Sequence, residues 1–413
     1  MQAIGIIVVV IVAAVAVGYY YTTIPTGPTL PQVIKLGAVM PLSPPGAYAS
    51  GQEMKMATEL AVNEINTAGG VLGKQIEVIY EDTAGTPEKG KAAFEKLITQ
   101  DKVVAIVGEF HSSVTLAEIE VTNANKIPFI VVAAWSDKIT AKGYKYVFRD
   151  GFTNSLLYRS YADFIKDAGF KNIAVIGEDT DFGIGAADVL KTRLTELGLT
   201  ATSTVLPMTT KDFVPMLTRL KESSPRPDLI VEVFTGAGNY ILIRQAYEIG
   251  LAPTKETMFA DPNDEYLSKE FWETIGPGGQ YVIGYNVFSP KAKLSDVGKK
   301  FMDNFAKTYN RAATSVTFGQ YDAVYIMVDA IKRAGSLDGD KIAEALESAK
   351  WDGASGTITF SKGAQEGLPD YLFHQWAGVP LFVLQYTQVN QSPDDAEIIW
   401  PSNLATAQIA YPP

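Results

Sequence analysis

The sequence predicts an α/β protein: two doubly wound parallel-sheet lobes, preceded by one hydrophobic N-terminal helix. Three observations carry this. From Val33 onward, short apolar runs alternate with amphipathic stretches in two consecutive series. No Gly/Ser linker separates any two parts of the body, and one long uncharged apolar run stands at the start. Alternating strand-like and helix-like periodicity is the pattern of parallel sheets covered by helices on both faces. The missing linker favours two lobes joined by several crossovers over separate beads.

The elements follow in order. Val33–Met40 (VIKLGAVM) reads as a buried strand, and Gly51–Thr67 carries Met54, Ala57, Leu60, Ala61 and Ile65 at helical spacing before stopping at Gly69-Gly70. Gln75–Tyr80 is a strand. Pro87–Gln100 is a helix with Thr86 as N-cap and Pro87 in its first turn. Val103–Val107 is a strand, Ser113–Asn123 a helix and Ile127–Val132 a strand. The second series is Ser155–Ala168 (helix), Ile173–Ile176 (strand), Gly183–Leu197 (helix), Ser203–Leu206 (strand), Phe213–Glu222 (helix), Leu229–Val233 (strand), Gly238–Ile249 (helix) and Met258–Ala260 (strand). In the remainder, Tyr281–Val287 is strand-like, and Val297–Tyr309, Phe318–Ala334 and Lys341–Ala349 are helical. Thr357–Phe360, Tyr371–Gln375 and Leu381–Gln388 are again strand-like. This part is expected to return to the first lobe and then to the second.

Composition excludes several chemistries. The 413 residues include no Cys and two His, with 35 Lys+Arg against 46 Asp+Glu for a net charge of −11. Without Cys there is no disulfide framework, thiolate nucleophile or Cys-ligated metal. The two His, His111 and His374, are far apart, so no His-rich metal site is expected and no cofactor is called for. The acidic balance argues against a nucleic-acid partner, which needs a basic face. GxxxxGK[ST], a complete GxGxxG, HExxH and GxSxG are all missing, so no enzymatic activity is expected. Asn390-Gln391-Ser392 is a formal glycosylation sequon followed by Pro393.

The apolar start, Ala3–Val17 (AIGIIVVVIVAAVAV), ends in Gly18 and Tyr19-Tyr20-Tyr21, and no charged side chain precedes Lys35. At roughly 18 residues it sits at the short end of a spanning helix, with the tyrosines placed for the bilayer interface. Three readings stay open: a retained membrane anchor, a cleaved secretory signal that lacks the usual basic n-region, or a self-assembling helix. The run resembles the hydrophobic start of archaeal type IV pilins and archaellins, which implies a surface filament displaying the body as an alternative to anchorage. Residues 22–32 are a Thr/Pro-rich stalk that would hold the body off a membrane. The expected location is therefore the extracytoplasmic cell surface, anchored, secreted or assembled.

Two such lobes place strand C-termini and the following helix N-termini around one cleft, where anionic groups find free N–H donors. The turn Gly108–Ser113 is the leading candidate, with Ser112 and Ser113 opening a helix; a plain Ser N-cap is the alternative. Ala133-Ala134-Trp135 offers a backbone contact and an aromatic wall, or a Trp simply packed at a helix start. Asp150–Asn154 is a candidate hinge between the two series. In Asp179–Gly183, Asp181 can be no more than an N-cap. In Phe259–Asp264, carboxylates at a strand end can face an ammonium group, or Asn263 and Asp264 can cap the next helix.

Beyond these separate signals, Ile34–Leu42, Gly51–Pro87, Ala93–Thr115, Ile127–Thr140, Tyr146–Asn154, Ile173–Gly185, Asp212–Ser224 and Asp228–Phe234 closely resemble the branched-chain amino-acid-binding (Leu/Ile/Val-type) proteins of ABC importers. The resemblance runs from Val33 to about Pro401. It implies a type I periplasmic binding protein, two αβ lobes with three crossovers closing on one small ligand. The implied division is 33–153 plus 287–358 for lobe I and 154–286 plus 359–413 for lobe II, after the 1–21 helix and 22–32 stalk. It implies an amino acid, branched-chain or a similar small zwitterion or amide, delivered to ABC permease subunits. Ser112 and Ala133 correspond to carboxylate contacts, and Asp261 to the ammonium contact. Trp135 stands where many members have Thr, Phe182 where relatives carry an aromatic, and Asn154 where an Asp is common. Thr235 lies near a frequent Tyr, and Ser50 where some relatives stack an aromatic on the ligand. The family's Cys pair is absent, its positions falling at or beside Ala84 and at His111, so His111 is expected to be a packing residue.

Overall fold

The structure is a computed structural model, and it describes residues 30–292 and 294–413. The calls on Ala3–Val17, whether anchor, signal or assembly helix, lie outside these residues. Among the described residues no helix is long and apolar enough to cross a membrane.

Residues 33–413 form one unit. The chain runs β1 (Val33–Met40), α1 (Tyr48–Thr67), β2 (Gln75–Asp82), α2 (Pro87–Lys96), β3 (Ala105–Gly108), α3 (Ser112–Asn125), β4 (Phe129–Val131), α4 (Lys138–Ala141) and β5 (Val147–Arg149). It continues through α5 (Asn154–Asp167), β6 (Asn172–Glu178), α6 (Asp181–Glu196), β7 (Thr200–Leu206), α7 (Val214–Glu222), β8 (Leu229–Val233), α8 (Ala237–Glu248) and β9 (Met258–Ala260). Then follow α9 (Lys269–Ile275), β10 (Ile283–Asn286), α10 (Asp296–Tyr309), α11 (Ser315–Ala334), α12 (Gly339–Glu347), the hairpin β11 (Lys350–Asp352) and β12 (Thr357–Thr359), β13 (Phe382–Gln385) and β14 (Glu397–Trp400).

Two main sheets result. The first has the order β2-β1-β3-β4-β5, with every pairing parallel. The second has the order β14-β13-β10-β9-β8-β6-β7; it is parallel from β10 to β7, and β13 and β14 add antiparallel strands at one edge. Strands such as Ala105–Gly108, Phe129–Val131 and Leu229–Val233 are buried throughout. This is why the first two read as continuous apolar runs and not as alternating ones, while the third is interrupted by the buried Glu232. Each fully buried Leu, Ile or Phe contributes about 1.5–3 kcal/mol. In both sheets the order reverses beside the first strand of the series, β1 or β6, and open α/β sheets bind ligands at the carboxyl ends of such strands.

After β10 the chain returns to the first sheet. Gln320 on α11 donates to Thr58 Oγ1 at 2.9 Å, and Tyr321 and Tyr325 both donate to Glu64 Oε2, fixing α11 along α1. The hairpin stays on this lobe, because Ala354 N–H and Ser355 N–H donate to Asp322 on α11.

Residues 361–376 differ from the expected division. They do not cross to the second lobe at 359. Arg149 N–H donates to His374 O and Trp376 N–H to Arg149 O, each at 2.9 Å, which extends the first sheet by one bridge beyond β5. The chain leaves for the second sheet only between Trp376 and β13. Tyr371–Gln375 is not a regular strand, because Asp370–Leu372 form a 3₁₀ turn and only Gln375 bridges β5; its buried side chain meets Arg149 Nε and Gly151 O. At α2, Thr86 does occupy the N-cap, but its hydroxyl donates to Thr83 O and makes no cap bond.

Candidate functional site

Gly108 ends β3 at φ 129°, and a Cβ there would lie 2.0 Å from Val39 O. Glycine therefore sets the turn into Glu109-Phe110-His111. His111 occupies the N-cap of α3 in an extended conformation with no side-chain cap bond. Its Nε2 accepts Ala47 N–H at 3.0 Å instead. The first-turn N–H groups of α3, led by Ser112 and Ser113, therefore have no intrahelical or capping partner. Burial pushes the His111 imidazole down to about 4, so the ring stays neutral.

The loop after β4 is held from below. Arg149, fully buried, donates to Ala134 O at 2.8 Å, Ser136 O at 2.9 Å, Thr140 Oγ1 at 2.8 Å and Gln375 Oε1 at 2.6 Å. Ser136 N–H donates to Ser112 Oγ at 3.0 Å, tying that loop to α3. Trp135 is thereby fixed edge-on to Phe182 at 5.8 Å, Tyr285 at 5.7 Å and Phe152 at 6.0 Å. These rings come from both lobes.

Between the lobes lies a cavity of about 140 Å³, lined from the first by Gly85, Pro87, Phe110, His111, Ser112, Ser113, Ala133 and Trp135, and from the second by Glu178, Thr180, Phe182, Met208, Thr235, Asn263, Asp264 and Glu265. Its second-lobe wall is acidic. Glu178 accepts Thr180 Oγ1 at 2.6 Å, and its other oxygen accepts Thr235 N–H at 2.8 Å and Thr235 Oγ1 at 3.0 Å. Asp264 Oδ1 accepts the hydroxyls of Tyr285, at 2.5 Å, and Ser315. Glu265 Oε1 accepts Gly236 N–H at 2.6 Å, while its Oε2 is buried without a partner. Burial pushes Asp264 up to about 6, and it raises Glu178 and Glu265 as well, Glu265 strongly. Among the described residues no Lys or Arg lines this cavity.

The expected residues fall into three groups. Ser112, Ser113, Ala133, Trp135, Phe182 and Thr235 line the cavity together. Ser50 lies instead on a second, outer cavity of about 810 Å³ between the Pro44–Ser50 segment and α8, which shares Met208, Thr235 and Glu265 with the inner one. Asn154 and Asp261 are set back. Asn154 opens α5; its N–H donates to Trp135 O at 2.6 Å and its Nδ2 to Phe182 O at 3.1 Å, so it braces two wall residues from behind. Asp261 is fully buried beneath the wall. Its Oδ1 accepts Asn239 Nδ2 at 3.0 Å and Asn263 Nδ2 at 3.3 Å, beside Glu232. Burial and the Asp261 charge push Glu232 far above the carboxylate range, and burial raises Asp261 too, because two such neighbours cannot both ionise.

His111, expected only to pack, also lines the cavity. Glu178, Thr180, Met208, Glu265, Phe110, Gly85 and Pro87 were missed. Glu178 closes β6, which is apolar from Ile173 to Gly177, and that lone charge at the strand's carboxyl end was the available signal. Asn263 and Asp264 were left between capping and binding. Asn263 precedes the short 3₁₀ turn Asp264–Leu267 without a side-chain cap bond, and both residues line the cavity.

The arrangement is a binding chamber. One end offers helix N–H donors and the Ser112 hydroxyl, suited to a carboxylate; the other offers carboxylates suited to an ammonium; aromatic rings close the sides. It has no nucleophile–base pair, and among the described residues no group of His, Asp or Glu is placed to hold a metal ion.

Comparison with known proteins gives a consistent picture. Residues 33–378 match the family model described as periplasmic binding protein. A Leu/Ile/Val-binding protein homolog of Brucella melitensis is 28% identical over 350 residues, covering 83% of this chain and 91% of its own. The leucine-, isoleucine-, valine-, threonine- and alanine-binding protein of Pseudomonas aeruginosa is 27% identical over 354 residues, covering 83% and 90%. Two solved structures share the fold. One is the branched-chain amino acid transporter substrate-binding protein of Streptococcus pneumoniae in complex with isoleucine, with TM-score 0.76 and 24% identity, covering 89% of this chain and all of the other. The other is an ABC-transporter solute-binding protein of Rhodopseudomonas palustris in complex with 3,4-dihydroxybenzoic acid, with TM-score 0.74 and 24% identity, covering 86% and 93%.

Proposed function

The chain belongs to the periplasmic binding protein family, and from that premise we propose that it captures an amino acid outside the cytoplasm and hands it to the membrane subunits of an ABC importer. The observation that carries this reading is the chamber's polarity. The α-carboxylate meets the free first-turn N–H groups of α3 at Ser112 and Ser113. The α-ammonium meets Asp264, with Glu178 adding negative potential. Curated relatives named for Leu, Ile, Val, Thr and Ala binding support the same class.

The mechanism is a shift between open and closed clamps. A ligand that touches both lobes binds the closed state better and so raises its population. Trp135 and Phe182, one from each lobe, meet edge-on and exclude water as the clamp closes. The division 33–153 plus 287–358 against 154–286 plus 359–413 enters this reading with the third crossover moved past Trp376. The N-terminal run 1–21 serves as the tether and 22–32 as the stalk.

Calorimetric titration of the full chain with a panel of amino acids, amides and hydroxybenzoates tests the reading. Saturable 1:1 binding of an amino acid supports it. Hydroxybenzoates carry no cation, and three carboxylates line the cavity, so they are expected not to bind. Binding of hydroxybenzoates alone would overturn the assignment.

A further inference from the structure

The chamber carries more carboxyl groups than an ordinary amino acid can answer. Glu178, Asp264 and Glu265 line it, each at most 4% exposed, and Glu232 and Asp261 lie directly behind. A neutral amino acid supplies one cation and one anion. Asp264 answers the cation, leaving Glu265 without a counter-charge.

Of the two glutamates that line the chamber, Glu265 is the one with an unpaired oxygen; Asp261 Oδ2 is also buried without a partner but does not line the chamber. Glu178 has both oxygens satisfied by Thr180 and Thr235. Glu265 has one oxygen on Gly236 N–H and the other, Oε2, buried with no donor. A buried acceptor left unpaired costs about 1–3 kcal/mol, and more if charged. Where such a group lines a cavity, a ligand can supply the missing donor. Its place is specific: Glu265, Met208 and Thr235 line both the inner cavity and the outer groove of about 810 Å³. A side chain leaving the inner cavity passes Met208, which can pack on a methylene stem, and reaches Glu265. Titratable groups that line these two cavities from other elements include His111 beside α3, Glu178 on β6, Asp264 beside Glu265, Tyr240 on α8 and Glu270 on α9, the last paired with Arg311 at 3.3 Å. Lys211 and Arg244 line the outer groove and not the inner cavity, and Arg244 is turned to Glu248 at 3.7 Å.

We propose that the ligand is an amino acid with a basic side chain, its terminal cation seated on Glu265 where the inner cavity opens into the outer groove. This rests on the amino-acid reading and narrows it. Burial holds the Glu265 carboxyl well above the usual carboxylate range. A bound cation reverses that balance, so ligand binding expels a proton from the site.

Titration calorimetry of the full chain with lysine, ornithine, leucine and isoleucine tests the proposal, repeated in two buffers of different ionisation enthalpy. Lysine or ornithine is expected to bind at least tenfold tighter than leucine and to release a proton. Glu265→Gln is expected to narrow the lysine-to-leucine ratio at least tenfold. Should that variant not fold, the wild-type ratio decides alone. Leucine binding as tightly as lysine, or tighter, would overturn the proposal and leave the amino-acid reading intact. Binding of neither, by protein whose melting curve shows it folded, would overturn both.

Discussion

Ser113 and Asp181 exchange two hydrogen bonds across the cleft: Ser113 Oγ donates to Asp181 Oδ2 and accepts Asp181 N–H, both at 3.1 Å. Ser113 opens α3 in the first lobe and Asp181 opens α6 in the second. Lys138 of the first lobe reaches the other Asp181 oxygen at 2.7 Å. The closed form thus has a polar latch beside the chamber, independent of any ligand atom.

Breaking that latch should weaken capture without unfolding either lobe. Lys138 is mostly exposed, so its pair contributes little, about 0–1 kcal/mol. The two Ser113 bonds contribute about 0.5–1.5 kcal/mol each. Ser113→Ala is expected to lower the closed population and reduce ligand affinity by roughly tenfold, an effect of about 1.4 kcal/mol. Small-angle scattering of the unliganded variant should show a larger radius of gyration than wild type. An unchanged radius and affinity would refute the latch.

Arg149 acts on the site through Ala134 and Ser136. Replacing a buried guanidinium that serves four neutral acceptors leaves those acceptors unpaired, and each buried acceptor so left costs about 1–3 kcal/mol. Arg149→Met is expected to lower the melting temperature strongly. Arg149→Lys should recover only part of it, because an ammonium cannot reproduce the planar fork. Equal stability of the Lys variant and wild type, by denaturant titration, would contradict this.

Asp264 and Asp261 separate binding from support. Asp264→Asn should cost at least tenfold in amino-acid affinity, since Asp264 faces the chamber. Asp261→Asn should change affinity little but alter stability, because Asp261 accepts from Asn239 and Asn263 behind the wall. Paired calorimetry and thermal melts check both. The reverse pattern would restore Asp261 as the ammonium contact.

Stability should fall with rising pH. Burial pushes Glu53 and Glu109 up to about 7, and Asp264 and Asp322 up to about 6. Burial also holds Glu118, Asp150, Glu232 and Glu265 higher still. Each keeps a proton in the folded state that the unfolded chain releases above about pH 4. Their contribution is full below that point and is lost as pH rises through 6 and 7 and beyond. His111 and His374, lowered to about 4 by burial, act oppositely and cost stability as pH falls through 6.5. The carboxylates outnumber them, so the unliganded protein should melt several degrees higher at about pH 5.5 than at about pH 8. A melting temperature that rises across this range would contradict the assignment.

Much of the fold was legible because period and punctuation agree. Val33–Met40, Leu229–Val233 and Met258–Ala260 are apolar runs bounded by turn residues, and each forms a strand with those limits. The third crossover was not legible. Residues 361–376 hold to the first lobe through Arg149 and Gln375, a long-range polar pairing that leaves no periodic trace. In the site, Ser112, Ala133 and Trp135 could be read because they follow apolar strands directly. Among Asp261, Asn263, Asp264 and Glu265 the sequence offers four polar candidates in five positions. Only the 3₁₀ turn at Asp264–Leu267 decides which face the chamber. Asn154 was a candidate contact through the resemblance, standing where an Asp is common, yet its hydrogen bonds point to Trp135 and Phe182.

The most direct test is a crystal structure of the full chain grown with saturating lysine. The α-carboxylate should lie on the first turn of α3 at Ser112 and Ser113, the α-ammonium against Asp264, and the terminal amine against Glu265. A map with this chamber empty, or with lysine lodged only in the separate cavity beside Trp272 and Arg311, would contradict the account.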